Sequence, residues 1–165
     1  MKGEAMAELE VRLVKLDPMR VASVHVVSRA PEHEAWEKLR VWAEPLGLLD
    51  DIESHPVFGF NNPSPSPARL KYGYEFWIKI DPDVTATGEI ELKDFPGGVY
   101  AVTSCKLLGD PSGRDVPKTW RKLMKWVKSN KYPWRRTHEL EKPRNPLASE
   151  EDWVLDLYLP VEERI

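Results

Sequence analysis

The chain holds one cysteine, Cys105, in 165 residues. That excludes an intramolecular disulfide and fits a reducing cytosol. No apolar run is long enough to span a bilayer, and Met1–Glu10 lacks the apolar core of a secretory leader. Positive charge is not in surplus: 24 Lys and Arg against 27 Asp and Glu leave −3, so no global basic field favours nucleic acid. Metal-ligand spacing is missing too. His25, His33, His55 and His138 are scattered, without His-x-x-x-His or Cys-x-x-Cys, and neither metal nor cofactor is expected. Gly97-Gly98 reads as a turn, since neither Gly-x-Gly-x-x-Gly nor Gly-Lys-Ser/Thr follows.

What is abundant is proline and tryptophan, 15 and 7 residues. The proline share is well above the ordinary ~5%, yet 41% hydrophobic content argues against disorder. The length suits one domain that buries a core without staples.

The tryptophans expose an internal repeat. Trp36-x-x-Leu39-x-x-Trp42 returns as Trp120-x-x-Leu123-x-x-Trp126. Lys15–Ala22 resembles Lys93–Ala101, and Asn62-Pro63-Ser64-Pro65 matches Lys142–Pro146. Tyr74–Ile78 matches Leu155–Leu159. The order is kept, which predicts two copies, about 9–82 and 88–162, in one pseudo-two-fold domain behind a flexible stretch 1–8.

Each copy reads strand, strand, helix, strand, strand. Leu9–Leu16 and Arg20–Ser28 are β-branched runs split by Asp17-Pro18. A helix starts near Pro31, with Glu32 and Glu34 at its positive end. Its predicted buried stripe is Trp36, Leu39, Trp42, Ala43 and Leu46. Strands near 55–62 and 71–80 follow. The second copy predicts strands near 88–93, 99–107, 137–142 and 153–160. Its helix runs from about Asp115 to Asn130, with Trp120, Leu123, Met124, Trp126 and Val127 inward. Arg114, Lys118, Arg121, Lys122, Lys125 and Lys128 share the opposite face. The pattern is α+β: a mainly antiparallel sheet with two main helices.

Side chains alternate along a strand, so the last strand of each copy has two readable faces. Tyr72, Tyr74, Phe76, Ile78 and Ile80 form an apolar face that would seat a helix. Gly73, Glu75, Trp77 and Lys79 lie opposite. In the second copy Val154, Asp156 and Tyr158 oppose Trp153, Leu155, Leu157 and Leu159. Glu75 thus corresponds to Asp156, and Trp77 to Tyr158. A carboxylate two residues from an aromatic, present twice, suits a pocket for a cationic or aromatic molecule. The same residues also suit a solvated face with ordinary cross-strand packing.

The Trp-x-x-Leu-x-x-Trp-Ala helix, Pro96–Ala101 and Leu155–Val161 resemble the GyrI-like small-molecule-binding family. That family includes effector-binding domains of AraC- and MerR-type multidrug regulators. The resemblance spans about residues 9–162. It implies two fused β-α-β-β modules around a groove for lipophilic, often cationic, compounds. It further implies a groove glutamate at Glu75, with Asp156 its match. Tyr72–Trp77 looks like the glutamate-bearing strand of stand-alone members, some of them hydrolases of strained electrophiles. The short stretch before residue 9 predicts a stand-alone module that does not itself read DNA.

The expected ligand set is Glu75, Trp77, Asp156, Tyr158, Tyr100 and His25, in a cytosolic binding protein for lipophilic or cationic small molecules. An enzyme reading makes Glu75 a general base or nucleophile, its pKa raised by desolvation. A third reading is a protein partner on the basic segment 114–136, which carries nine Lys or Arg against one acid. A solvated amphipathic helix accounts for that segment equally well. His25 also fits a structural strand histidine, and Cys105 a small core residue. Oligomeric state is not legible.

Overall fold

The computed structural model describes residues 9–86, 88–106 and 115–163. Its elements are β1 (Arg12–Leu16), β2 (Met19–Ser28), α1 (Pro31–Ala43), β3 (Val57–Asn61), β4 (Tyr72–Lys79), β5 (Glu91–Phe95), β6 (Gly98–Lys106), α2 (Asp115–Ser129), β7 (Leu140–Pro143) and β8 (Val154–Pro160). All the strand pairings described are antiparallel. The α+β class with two helices is as the sequence indicates. Of the expectations above, Leu107, Arg114 and the stretch 1–8 lie outside the described residues. Among those described, no helix is long and apolar enough to cross a membrane.

The chain forms two compact units, Asp17–Gly97 and Met1–Leu16 with Gly98–Ile165. In the contiguous unit the strand order is β3-β4-β2-β5. Pro31 sits in the first turn of α1, where its missing N–H costs no hydrogen bond, and Glu32 and Glu34 face the positive helix end. Ala35, Trp36, Leu39 and Ala43 are buried. The Trp36 ring lies 5.6 Å from Phe76, so α1 sits on the apolar face of β4. Leu46 is not part of this stripe: it is 52% exposed. The helix gives way to a 3-10 turn at Glu44–Leu46, closed by Gly47 at φ 73°, and the 100° periodicity ends there. Leu48 and Leu49 enter the core instead. Trp42 is only half-buried, in a surface cavity of about 430 Å³ beside Val24, Lys38 and Ile90.

In the composite unit the order is β1-β6-β8-β7. Leu123 and Val127 anchor α2 in its core, whereas Trp120, Met124 and Trp126 are half-buried. Lys118, Arg121, Lys122, Lys125 and Lys128 are exposed, as on any solvated amphipathic helix. Cys105 is buried and receives a hydrogen bond from Thr119 on α2. It is a core residue.

Phe95, beyond the strand expected near 88–93, belongs to β5, because pairing with Met19 carries that ladder on to Phe95. Neither β1 nor β5 pairs with the strand that follows it. β1 pairs β6, with Arg12 opposite Val102, and β5 pairs β2, with Lys93 opposite Val21.

Candidate functional site

Glu75 lies mid-strand on β4, on the face away from α1, and is 1% exposed. A carboxylate stripped of water this far needs donors, and four converge on it. Ser23 Oγ donates at 2.6 Å, Trp77 Nε1 at 2.7 Å and Lys93 Nζ at 2.7 Å, all to Oε2. Asn62 Nδ2 donates to Oε1 at 3.2 Å. Burial is the largest single influence and pushes the carboxyl pKa up. Hydrogen bonds from Lys93, Ser23, Trp77 and Asn62 together outweigh it and bring the pKa to about 2. Glu75 is therefore a fixed anion. The general-base expectation needed a raised pKa, and the structure does not favour it: desolvation alone would raise the value, but the donor shell reverses the sign.

Around this anion the face is aromatic. Trp77 meets Phe60 edge-on at 4.9 Å between ring centres and Phe95 at 5.3 Å. His25 lies directly across from Glu75 on β2. Its imidazole is exposed and donates from Nε2 to the Asn62 carbonyl, so it reaches Glu75 through Asn62.

The composite unit carries a comparable arrangement. Asp156 on β8 is 3% exposed. It accepts from Ser104 Oγ at 2.8 Å, from Arg144 Nε at 2.9 and 3.0 Å, and from Arg12 Nη2 at 3.2 Å. Burial pushes its pKa up, but hydrogen bonds from Arg144 and Ser104 and the two guanidinium charges bring it below the usual carboxylate range. Tyr158, buried beside it, packs edge-on against Tyr100 at 5.7 Å. The Tyr100 hydroxyl is buried without a hydrogen-bond partner among the described residues.

Arg135 covers the Tyr100 ring at 4.7 Å and donates to the carbonyls of Val99 and Val161. It can do so because residue 98 is glycine. Gly98 has φ 136°, and a Cβ there would lie 2.6 Å from the Arg135 guanidinium. Gly98→Ala is expected to lower stability by about 2 kcal/mol, from backbone strain plus displacement of Arg135. Denaturant melts check this. A change below about 0.5 kcal/mol would show that Arg135 is not held as described.

The structure thus brings Glu75, Trp77 and His25 onto one face of the contiguous unit, and Asp156, Tyr158 and Tyr100 onto one face of the composite unit. Sequence reasoning missed the cations. Lys93 and Arg12 come from strands that pair far along the chain, yet a signal was present. A shift of 81 positions turns Arg12 into Lys93, Ser23 into Ser104 and Glu75 into Asp156.

A model of integron-associated effector-binding proteins, Cass2, matches residues 12–161. The chain belongs to the Cass2 family. This bears out the GyrI-like resemblance and makes the chain an effector-binding protein by family. No curated protein matches the sequence significantly. Among solved structures, this chain resembles the C-terminal domain of EcmrR with 17% identity and TM-score 0.64, covering 94% of this chain and 99% of that one. Against EcmrR solved in complex with DNA it spans 61% of that protein's length, with TM-score 0.67, 17% identity and 99% of this chain covered. It also resembles an integron cassette protein of Vibrio cholerae, at 13% identity and TM-score 0.55, over 92% of this chain and 95% of that one. SAV2435, solved bound to tetraphenylphosphonium, is 11% identical with TM-score 0.54, over 93% and 94% of the two chains. At such identities these likenesses establish the fold alone.

Proposed function

We propose that this Cass2-family protein binds lipophilic organic cations in the cytosol, on the face of the contiguous unit formed by Glu75, Trp77, Phe60 and Phe95. One observation carries the reading: a carboxylate 1% exposed, kept ionised, and set among aromatic rings. Ring faces attract cations, and the buried anion adds charge that water does not screen. The similar SAV2435 fold bound to tetraphenylphosphonium supports this choice of ligand. His25 contributes through Asn62.

We also read the two units as copies of one module that exchange their first strands. The pairings of β1 with β6 and of β5 with β2 match at a shift of 81 positions. The Ser23–Glu75–Lys93 cluster maps onto Ser104–Asp156–Arg12 at that same shift. The copies differ in one register: Ser104 opposes Asp156, whereas Ser23 opposes Trp77.

Titration with tetraphenylphosphonium, followed by tryptophan fluorescence and calorimetry, tests the ligand assignment. The wild type is expected to bind saturably, and Glu75→Gln at least threefold more weakly. No saturable binding, or equal affinity in the variant, would sink the proposal.

A further inference from the structure

Charge divides the two carboxylate clusters. Lys93 is the cation bonded to Glu75, so that cluster is close to neutral. Asp156 bonds two guanidiniums, Arg12 and Arg144, and Lys142 lies directly across from it on β7. One buried carboxylate therefore faces three cationic side chains. Arg12 stands in the same cross-strand row as Val102 and Tyr158, on the far side of β6. Arg144 follows β7, so the two arginines grip Asp156 from opposite flanks. The crowding has a consequence at Lys142. Burial lowers its ammonium pKa, and repulsion from Arg12 and Arg144 adds to this against the pull of Asp156.

We infer that the composite unit carries a second binding site, for an organic anion, built by Arg12, Arg144 and Lys142 around Asp156. The Asp156 carboxylate does not neutralise the group; it orients the two arginines. Each arginine side chain is 49% exposed, so each keeps N–H groups beyond those spent on Asp156 and Ser104. Guanidinium forks match the paired oxygens of carboxylate, sulfonate and phosphate, and stay charged at every physiological pH. The exposed guanidinium planes also stack on aromatic rings, which seats the body of an aromatic anion; Tyr158, buried beside Asp156 and packed against Tyr100, backs the cluster from within the core. The site is distinct in chemistry from the cation face. Asp156, matched to Glu75 in sequence, has here become the organiser of an anion receptor.

Calorimetric titration with naphthalene-1-sulfonate at low ionic strength tests this, with uncharged naphthalene-1-methanol and inorganic sulfate as comparisons. The wild type is expected to bind the sulfonate at least tenfold more tightly than either. Arg12→Gln, which leaves Arg144 and Ser104 on Asp156, is expected to lose about fivefold or more. Asp156→Asn removes the opposing charge while its amide oxygen still accepts from the arginines, and is expected to bind the sulfonate about threefold more tightly. The two variants move in opposite directions, which a general loss of folding cannot mimic. Equal binding of the neutral alcohol overturns the anion assignment, as does sulfonate affinity unchanged in Arg12→Gln or weakened in Asp156→Asn. Equal binding of inorganic sulfate overturns the organic ligand class.

Discussion

Lys93→Met is expected to bind tetraphenylphosphonium about tenfold more tightly than the wild type while folding less stably. The ammonium of Lys93 lies 2.7 Å from Glu75 Oε2 and is the protein's own cation at the anion proposed to attract the ligand. Any cationic ligand meets a carboxylate already half-answered. Removing the lysine charge leaves Glu75 with neutral donors from Ser23, Trp77 and Asn62, so its field on a bound cation is no longer offset. Stability moves the other way. An anion 1% exposed that loses its counter-charge costs about 2 kcal/mol, less than for a fully enclosed pair because the Lys93 side chain is 35% exposed. Thermal melts should fall by about 5 °C. Cation affinity that is unchanged or reduced in this variant would show that Lys93 does not compete with the ligand.

The second large effect is in acid. Glu75 titrates near 2 in the folded chain against an ordinary 4.5. A depressed folded value means that ionisation favours the native state. That stabilisation is complete above about pH 5 and drains away as pH falls through 4.5 toward 2. The difference corresponds to about 3 kcal/mol. Asp156, also depressed, contributes with the same sign. Urea melts between pH 7 and 2.5 should therefore show a steep acid decline in the wild type. In Glu75→Gln the curve should begin lower at pH 7 and flatten between pH 5 and 2.5. Parallel curves for the two proteins would mean that Glu75 is not held as an anion.

Much of this was legible beforehand. Alternation along β4 placed Glu75 and Trp77 on one face and Phe76 toward α1, because a strand's period of two fixes faces without reference to its neighbours. The spacing of Trp36, Leu39 and Ala43 likewise marked the buried side of α1. The exposure of Leu46 was not legible, since it depends on where the helix yields to the turn around Pro45 and Gly47. The sign of the Glu75 shift was also hidden. Desolvation can be guessed from aromatic neighbours in sequence, but Lys93 and Asn62 reach the carboxylate from other strands and loops.

Local pattern determined the elements, their faces and the two carboxylate positions, because periodicity and turn chemistry act within a few residues. Only tertiary structure decided what those carboxylates meet. Strand pairing across tens of residues brings one lysine to Glu75 and two arginines to Asp156. Charge at a buried site is set by its neighbours in space, so equivalent acids in sequence become a neutral pair in one unit and a cationic cluster in the other.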